Sequence, residues 1–140
     1  MTKEEIVNFL PFTFCRIKVS KIHGVGVHAV VEIPEGTNLF PDCASDLKEI
    51  KKIPKEEVSH LDKSVRKIMD DFLIESDTHY FMSTSLNNIN ISYFLNHSDN
   101  PNCIWQEKDD SFRPLKDLKI GEELTLDYNK YMISDLVKNV

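Results

Sequence analysis

The sequence has few cysteines, and their placement excludes two kinds of stabilising site. Cys15, Cys43 and Cys103 are odd in number and far apart, and no CxxC pair occurs. A disulfide framework and a cysteine-built zinc site both need paired or closely spaced cysteines, so neither is expected. We therefore predict no bound metal and a reducing, cytoplasmic location, with the nucleus left open.

Long apolar runs and an excess of positive charge are also missing. No stretch approaches the ~18 apolar residues of a membrane-spanning helix. The first residues carry Lys3, Glu4 and Glu5 and lack the apolar core of a signal peptide. The formal net charge is −6 and the pI is near 5.3. We therefore expect neither membrane association nor direct nucleic-acid binding, and the acidic balance favours a basic partner.

What is present is the pattern of one globular domain, which we assign to residues 1–140. Apolar residues at spacings of three and four predict an amphipathic helix over 55–76. Thr2 and Glu5 have the spacing of a capping box, which predicts a short first helix that ends at Pro11. Alternating and β-branched runs predict strands at 12–22, 25–33, 37–40, 79–82 and 124–128, a hairpin of 103–106 with 112–115, and a small closing helix around 133–137. The predicted class is α+β, mainly β.

A polar run, residues 96–103, lies between two apolar segments. Local chemistry alone favours a turn between strands, because asparagine, serine and aspartate side chains bond the nearby backbone. The run also contains the residue types of a hydrolase triad in Ser98, His97 and Asp99. Adjacent residues in one loop rarely converge on one another, and no GxSxG elbow occurs, so the hydrolase is the weaker interpretation.

Three motifs occur in a fixed order along the chain. Residues 23–29 read HGVGVHA, residues 96–103 read NHSDNPNC, and residues 121–128 read GEELTLDY. These resemble the xGxGVxA, NHSCxPN(C) and GEELTxDY segments of SET-domain protein lysine methyltransferases. Taken together they span about residues 18–128, which makes the resemblance specific although each motif alone is weak.

The resemblance implies a SET-domain fold of small β-sheets. Its motif-bearing core would cover about 12–131, with an inserted helical segment at about 41–78. The tail, 129–140, would thread beneath a preceding loop, an uncommon exception to unknotted topology.

The resemblance also implies a function, the transfer of methyl groups from S-adenosyl-L-methionine to a lysine side chain. The partner would be a lysine-containing protein or peptide, histone or non-histone. The implied catalytic residue is Tyr128. The implied cofactor-binding residues are His23, Gly24, Val25, Gly26, Tyr80, Tyr93, Asn96, His97 and Tyr128. The implied substrate-channel residues are Trp105, Leu126 and Tyr131.

The chemistry of three of these residue types suits those roles. A phenol with a pKa of about 10 is a poor general base, so Tyr128 is expected to orient the lysine amine and stabilise the developing charge. The Asn96 amide can hold the amino-acid end of the cofactor. Gly24 and Gly26 allow a close approach of the backbone, although a plain hairpin turn would use them equally well.

Departures from the family pattern support a rival hypothesis, a SET-like module that binds a protein without catalysis. Tyr93 replaces the arginine of most members, and Leu126 replaces a phenylalanine or tyrosine of many. Asn96, His97 and Tyr128 occur together, which favours catalysis. The sequence does not reveal the oligomeric state, although a homodimer would complete the peptide groove of so short a chain.

Overall fold

The computed structural model describes residues 1–41 and 50–130. The first helix, α1, spans Lys3–Phe9, and a single 3₁₀ turn, Leu10–Phe12, follows it. The predicted capping box is confirmed. Glu5 N donates to the Thr2 hydroxyl at 3.1 Å, and Thr2 N donates to the Glu5 carboxylate at 3.2 Å. No residue of α1 is buried, so local capping rather than packing stabilises this helix.

The main sheet has four strands in the order β1-β2-β9-β6. Its strands are β1 (Cys15–Val19), β2 (Val25–Ala29), β6 (Asn96–His97) and β9 (Glu123–Leu126). β2 pairs antiparallel with both β1 and β9, whereas β6 pairs parallel with β9. This order places parts of all three sequence motifs on three adjacent strands.

Two smaller sheets complete the described architecture. The first contains β3 (Lys51–Pro54), β5 (His79–Met82) and β4 (Ile74–Glu75) in the order β3-β5-β4. The second is the predicted hairpin, formed by β7 (Cys103–Gln106) and β8 (Ser111–Pro114). The hairpin and the strand at 79–82 are confirmed, and β3 and β4 were not predicted.

The strand predicted at 37–40 is wrong. This segment runs beside β8, where Gly36 N donates to Pro114 O at 3.0 Å and Leu39 N donates to Phe112 O at 2.9 Å. Two bonds spaced three residues apart do not form a continuous ladder.

The predicted helix over 55–76 is shorter than expected, and α2 spans Lys63–Phe72. Residues 55–58 form a separate 3₁₀ turn. The Asp62 carboxylate accepts from Ser64 N at 3.0 Å and so caps the start of α2. Leu73 is extended, with φ −97° and ψ 150°, and β4 begins at the next residue. Capping and strand pairing, which apolar spacing does not report, therefore set both ends.

The buried apolar side chains form two clusters. The larger lies between β1, β2, β9 and the segments around them, with Val27, Ile33 and Leu124 at most 1% exposed. The smaller joins α2 to β5 through Met69, Leu73 and Tyr80. No helix in residues 1–41 and 50–130 is long and apolar enough to cross a membrane. The predicted closing helix and most of the threaded tail lie outside the described residues.

Candidate active site

The parallel pairing of β6 with β9 brings the second and third sequence motifs together. Asn96 lies opposite Thr125, and His97 lies opposite Leu126. Ser98 N donates to Leu126 O at 2.9 Å. Because hydrogen-bonding directions alternate along a strand, the main-chain N–H and C=O of His97 point to the outer edge of the sheet, where β6 is the last strand.

Asn102 continues this attachment beyond β6. Its Nδ2 donates to Glu123 O at 2.8 Å, and its Oδ1 accepts from Thr125 N at 2.9 Å. An amide side chain thus pairs with the backbone of β9 in the way a strand would. The polar run at 96–103 is therefore more than a turn, because it is hydrogen-bonded along β9.

Tyr128 lies two residues beyond the end of β9 and contacts Leu95 and His97. Its hydroxyl donates to the carbonyl oxygen of Leu95, and its main-chain N donates to His97 Nδ1 at 3.1 Å. The rings of His97 and Tyr128 also pack against each other, with 5.2 Å between their centroids. Burial of the phenol, reinforced by the negative charge of Glu123, raises the pKa of Tyr128 above its usual value. The hydroxyl therefore keeps its proton at neutral pH.

The hydrogen bonds of His97 define its tautomer and exclude a hydrolase triad. Nδ1 accepts from Tyr128 N, so Nε2 carries the hydrogen and donates to Asp99 at 2.8 Å. The Asp99 side chain is 94% exposed. The Ser98 hydroxyl accepts from Asn100 N at 3.1 Å, and both nitrogens of the imidazole are already used. His97 therefore cannot activate Ser98 in this arrangement.

The Asn96 side chain is held through its amide nitrogen, Nδ2. The residue is 8% exposed, and its Nδ2 faces four oxygen atoms at 2.8–3.2 Å. These belong to the Ser20 hydroxyl, the His23 and Val25 carbonyls, and the Glu123 carboxylate. Carbonyl and carboxylate oxygens are acceptors only, so the group that faces them is the NH₂ and not the amide oxygen.

The two glycines of the first motif serve different purposes. Gly24 has φ +50° in the turn between β1 and β2, and a Cβ there would meet nothing within 4 Å. A Cβ on Gly26 would lie 2.3 Å from Glu123 Oε2 and 2.9 Å from Asn96 Nδ2. Gly26 therefore makes room for the side chains of Glu123 and Asn96, whereas the sequence suggested the approach of a cofactor or a plain hairpin turn.

Glu123 is the residue that sequence reasoning missed. Its side chain is 12% exposed, and Ser20 Oγ lies 2.7 Å and 2.9 Å from its two carboxylate oxygens. His28 Nε2 is 3.7 Å from Oε1, and its other ring nitrogen lies 3.2 Å from Gly26 O. The available signal was a carboxylate at the start of a strand whose later residues are buried.

Two of the predicted cofactor residues belong to the smaller apolar cluster. The Tyr80 hydroxyl donates to Asp70 at 2.5 Å, and this bond, together with burial, raises the pKa of Tyr80 to about 12. Lys55 Nζ lies 5.1 Å from the centroid of the Tyr80 ring. Tyr93 packs against the same cluster. The Tyr80 hydroxyl is thus directed to α2, and a cofactor role for either tyrosine stays a prediction.

The structure describes two of the three predicted channel residues, Trp105 and Leu126. Trp105 lies on β7 opposite Phe112, and its indole N–H donates to Asp110. Leu126 is 3% exposed within the larger cluster. Tyr131 lies outside the described residues. Channel roles for all three stay predictions. Across 1–41 and 50–130, no group of three or more histidine, cysteine, aspartate or glutamate side chains is arranged to hold a metal ion.

The fold and the site together define a class of small, mainly β domain. In this class a short parallel strand pair joins an Asn-His motif to a tyrosine just beyond a GEEL segment. The sequence model for the SET domain matches residues 24–129. The chain therefore belongs to the SET domain family, whose members are generally protein lysine methyltransferases.

The other comparisons add little to this assignment. No curated protein matches the sequence. A crystal structure of a proposed histone methyltransferase from Plasmodium falciparum resembles the chain with a TM-score of 0.45 and 16% identity. The alignment covers 83% of this chain and 93% of that one. At this TM-score the likeness carries no argument about function.

Proposed function

We propose that this protein is an S-adenosylmethionine-dependent protein lysine N-methyltransferase. The observation that carries the proposal is the pairing of β6 with β9, which places Asn96 opposite Thr125 and brings His97 against Tyr128. These are the residue types that the family resemblance assigns to cofactor binding and catalysis. Family membership supports the reaction class, and the net charge of −6 supports a basic substrate.

The residues present fit the cofactor. Because Asn96 Nδ2 is directed into the protein, Oδ1 is the atom left to accept from the cofactor's ammonium group. His97 offers a main-chain donor and acceptor at the outer edge of β6, which matches the donor–acceptor edge of an adenine. When bound, S-adenosylmethionine supplies a methyl group activated by its sulfonium.

Tyr128 orients the substrate amine rather than removing its proton. Its raised pKa leaves even less phenolate at neutral pH to act as a base. Its hydrogen is directed to Leu95 O, so the hydroxyl oxygen is left to accept from the lysine amine. The amine must therefore arrive neutral, which desolvation favours. Positioning of this kind can lower a barrier by roughly 7–11 kcal/mol.

The substrate is proposed only at the level of class, as a lysine-bearing segment of a protein, histone or non-histone. A cytoplasmic location is proposed with it.

The test is calorimetric titration with S-adenosylmethionine and S-adenosylhomocysteine, followed by transfer of labelled methyl to proteins of a cell extract. We expect micromolar binding and at least one labelled protein. Tyr128→Phe should bind normally and lose transfer. Folded protein that binds neither compound, even with a lysine-rich peptide present, would refute the proposal and favour the non-catalytic binding module.

A further inference from the structure

A buried carboxylate joins three segments of the chain beneath the Asn-His motif. Glu123, at the start of β9, contacts the turn after β1 through Ser20, β2 through His28, and β6 through Asn96. Its contact with Asn96 Nδ2, at 2.8 Å, is the shortest of the four contacts between this nitrogen and oxygen atoms. A bond from an amide to a carboxylate is charge-assisted and about twice as strong as one between neutral groups.

Ser20 fixes the Glu123 carboxylate from the opposite side. Its hydroxyl donates to that carboxylate, and the same oxygen accepts from Ile22 N at 2.9 Å and from His23 N at 3.2 Å. Because the serine oxygen already accepts two main-chain bonds, its hydrogen is committed to Glu123. The position of the carboxylate is therefore coupled to the turn that carries His23 and Gly24.

We propose that Glu123 is a positioning residue that holds the Asn96 amide with its NH₂ inward and its oxygen outward. A flipped amide would place Oδ1 about 2.8 Å from a carboxylate oxygen and opposite two carbonyls. Three oxygens that can only accept would then face another acceptor, which is unfavourable at a site that is 8% exposed. Gly26 leaves room for this contact, since a side chain there would overlap both partners.

This inference rests on the proposed function, because the outward Oδ1 is taken to receive the cofactor's ammonium group. Removal of the negative charge at 123 should allow the amide to rotate. The bound ligand would then face the NH₂ of Asn96 in some molecules and the amide oxygen in others, and its affinity should fall on the order of tenfold or more.

The experiment compares Glu123→Gln with Glu122→Gln in the intact protein. Glutamine at 123 keeps the volume and removes the charge. Glu122 is a matched control, because its carboxylate accepts from Lys119 N at 3.0 Å, and a glutamine oxygen can do the same. The first readout needs no ligand. It is the Asn96 side-chain amide resonances in a ¹H–¹⁵N spectrum, assigned by their loss in Asn96→Ala.

The second readout is the affinity for S-adenosylhomocysteine in a double-mutant cycle. Glu123→Gln should shift the Asn96 resonances and weaken binding, and it should cause no further loss in the Asn96→Ala background. Ser20→Ala should produce a smaller shift of the same resonances. A general structural role for Glu123 would instead weaken binding equally in both backgrounds, and that result would overturn the inference.

The two proposals fail in different ways. Unmoved Asn96 resonances in Glu123→Gln would overturn the positioning role whatever the ligand result. Absence of S-adenosylhomocysteine binding by the folded wild-type protein would overturn the proposed function, and with it the catalytic meaning of Glu123.

Discussion

Gly26→Ala tests the packing on which the site depends. The added Cβ would lie 2.3 Å from Glu123 Oε2, 2.8 Å from its Cδ and 2.9 Å from Asn96 Nδ2. An ordinary carbon–oxygen contact is about 3.3 Å or longer, so the carboxylate must move by roughly 1 Å. That movement takes Glu123 out of hydrogen-bonding distance of at least one partner.

The magnitude follows from two effects. Overpacking costs about 1–3 kcal/mol, and weakening a hydrogen bond to a charged group costs about 1.5–3 kcal/mol. We therefore expect Gly26→Ala to lower the free energy of unfolding by roughly 2.5–6 kcal/mol, out of the roughly 5–15 kcal/mol typical of a domain. Affinity for S-adenosylhomocysteine should fall as well, because Asn96 is displaced.

The assay is urea unfolding followed by the fluorescence of Trp105, the single tryptophan of the chain. Gly24→Ala is the control, since a Cβ there meets nothing within 4 Å and adds only the strain of φ +50°, about 1–2 kcal/mol. Glu123→Ala should reduce the cost of Gly26→Ala by at least about 1 kcal/mol and leave that of Gly24→Ala unchanged. Equal costs of Gly26→Ala in both backgrounds would refute the reasoning.

Three further predictions address catalysis, pH and the second helix. Tyr128→Phe removes the hydroxyl that bonds to Leu95 O, so methyl transfer should fall by at least roughly a hundredfold with ligand affinity within about twofold; equal losses of both would contradict an orienting role. Burial raises the pKa of the Cys103 thiol from 9.0 to about 12. The buried thiol therefore stabilises the fold below pH 9, and this contribution to stability is lost as the pH rises toward 12. Urea unfolding under reducing conditions should therefore show a shallower decline above pH 9 in Cys103→Ala than in wild type, and identical slopes would count against this assignment. Asp62→Ala removes the cap on Ser64 N and should lower the free energy of unfolding measured in urea, whereas no loss would show that α2 begins elsewhere.

Local signals were sufficient for the elements that local chemistry stabilises. The capping box of α1 and the β7–β8 hairpin involve residues close in sequence, and both were predicted. The ends of α2 were not, because Asp62 competes with the apolar pattern for the start of the helix and β4 pairs with β5 at its end. β3 was missed because its lysines and proline carry no apolar alternation, and its pairing with β5 is long-range.

The sequence by itself determined the family and singled out Asn96, His97 and Tyr128 as site residues, because three short motifs identify them without reference to geometry. Only the tertiary structure decided that Glu123 lies beneath Asn96, that Gly26 makes room for it, and that Tyr80 is directed to α2. The reason is physical. A contact such as that of Ser20 with Glu123 joins positions 103 residues apart, and burial and hydrogen-bond direction exist only once distant strands have paired.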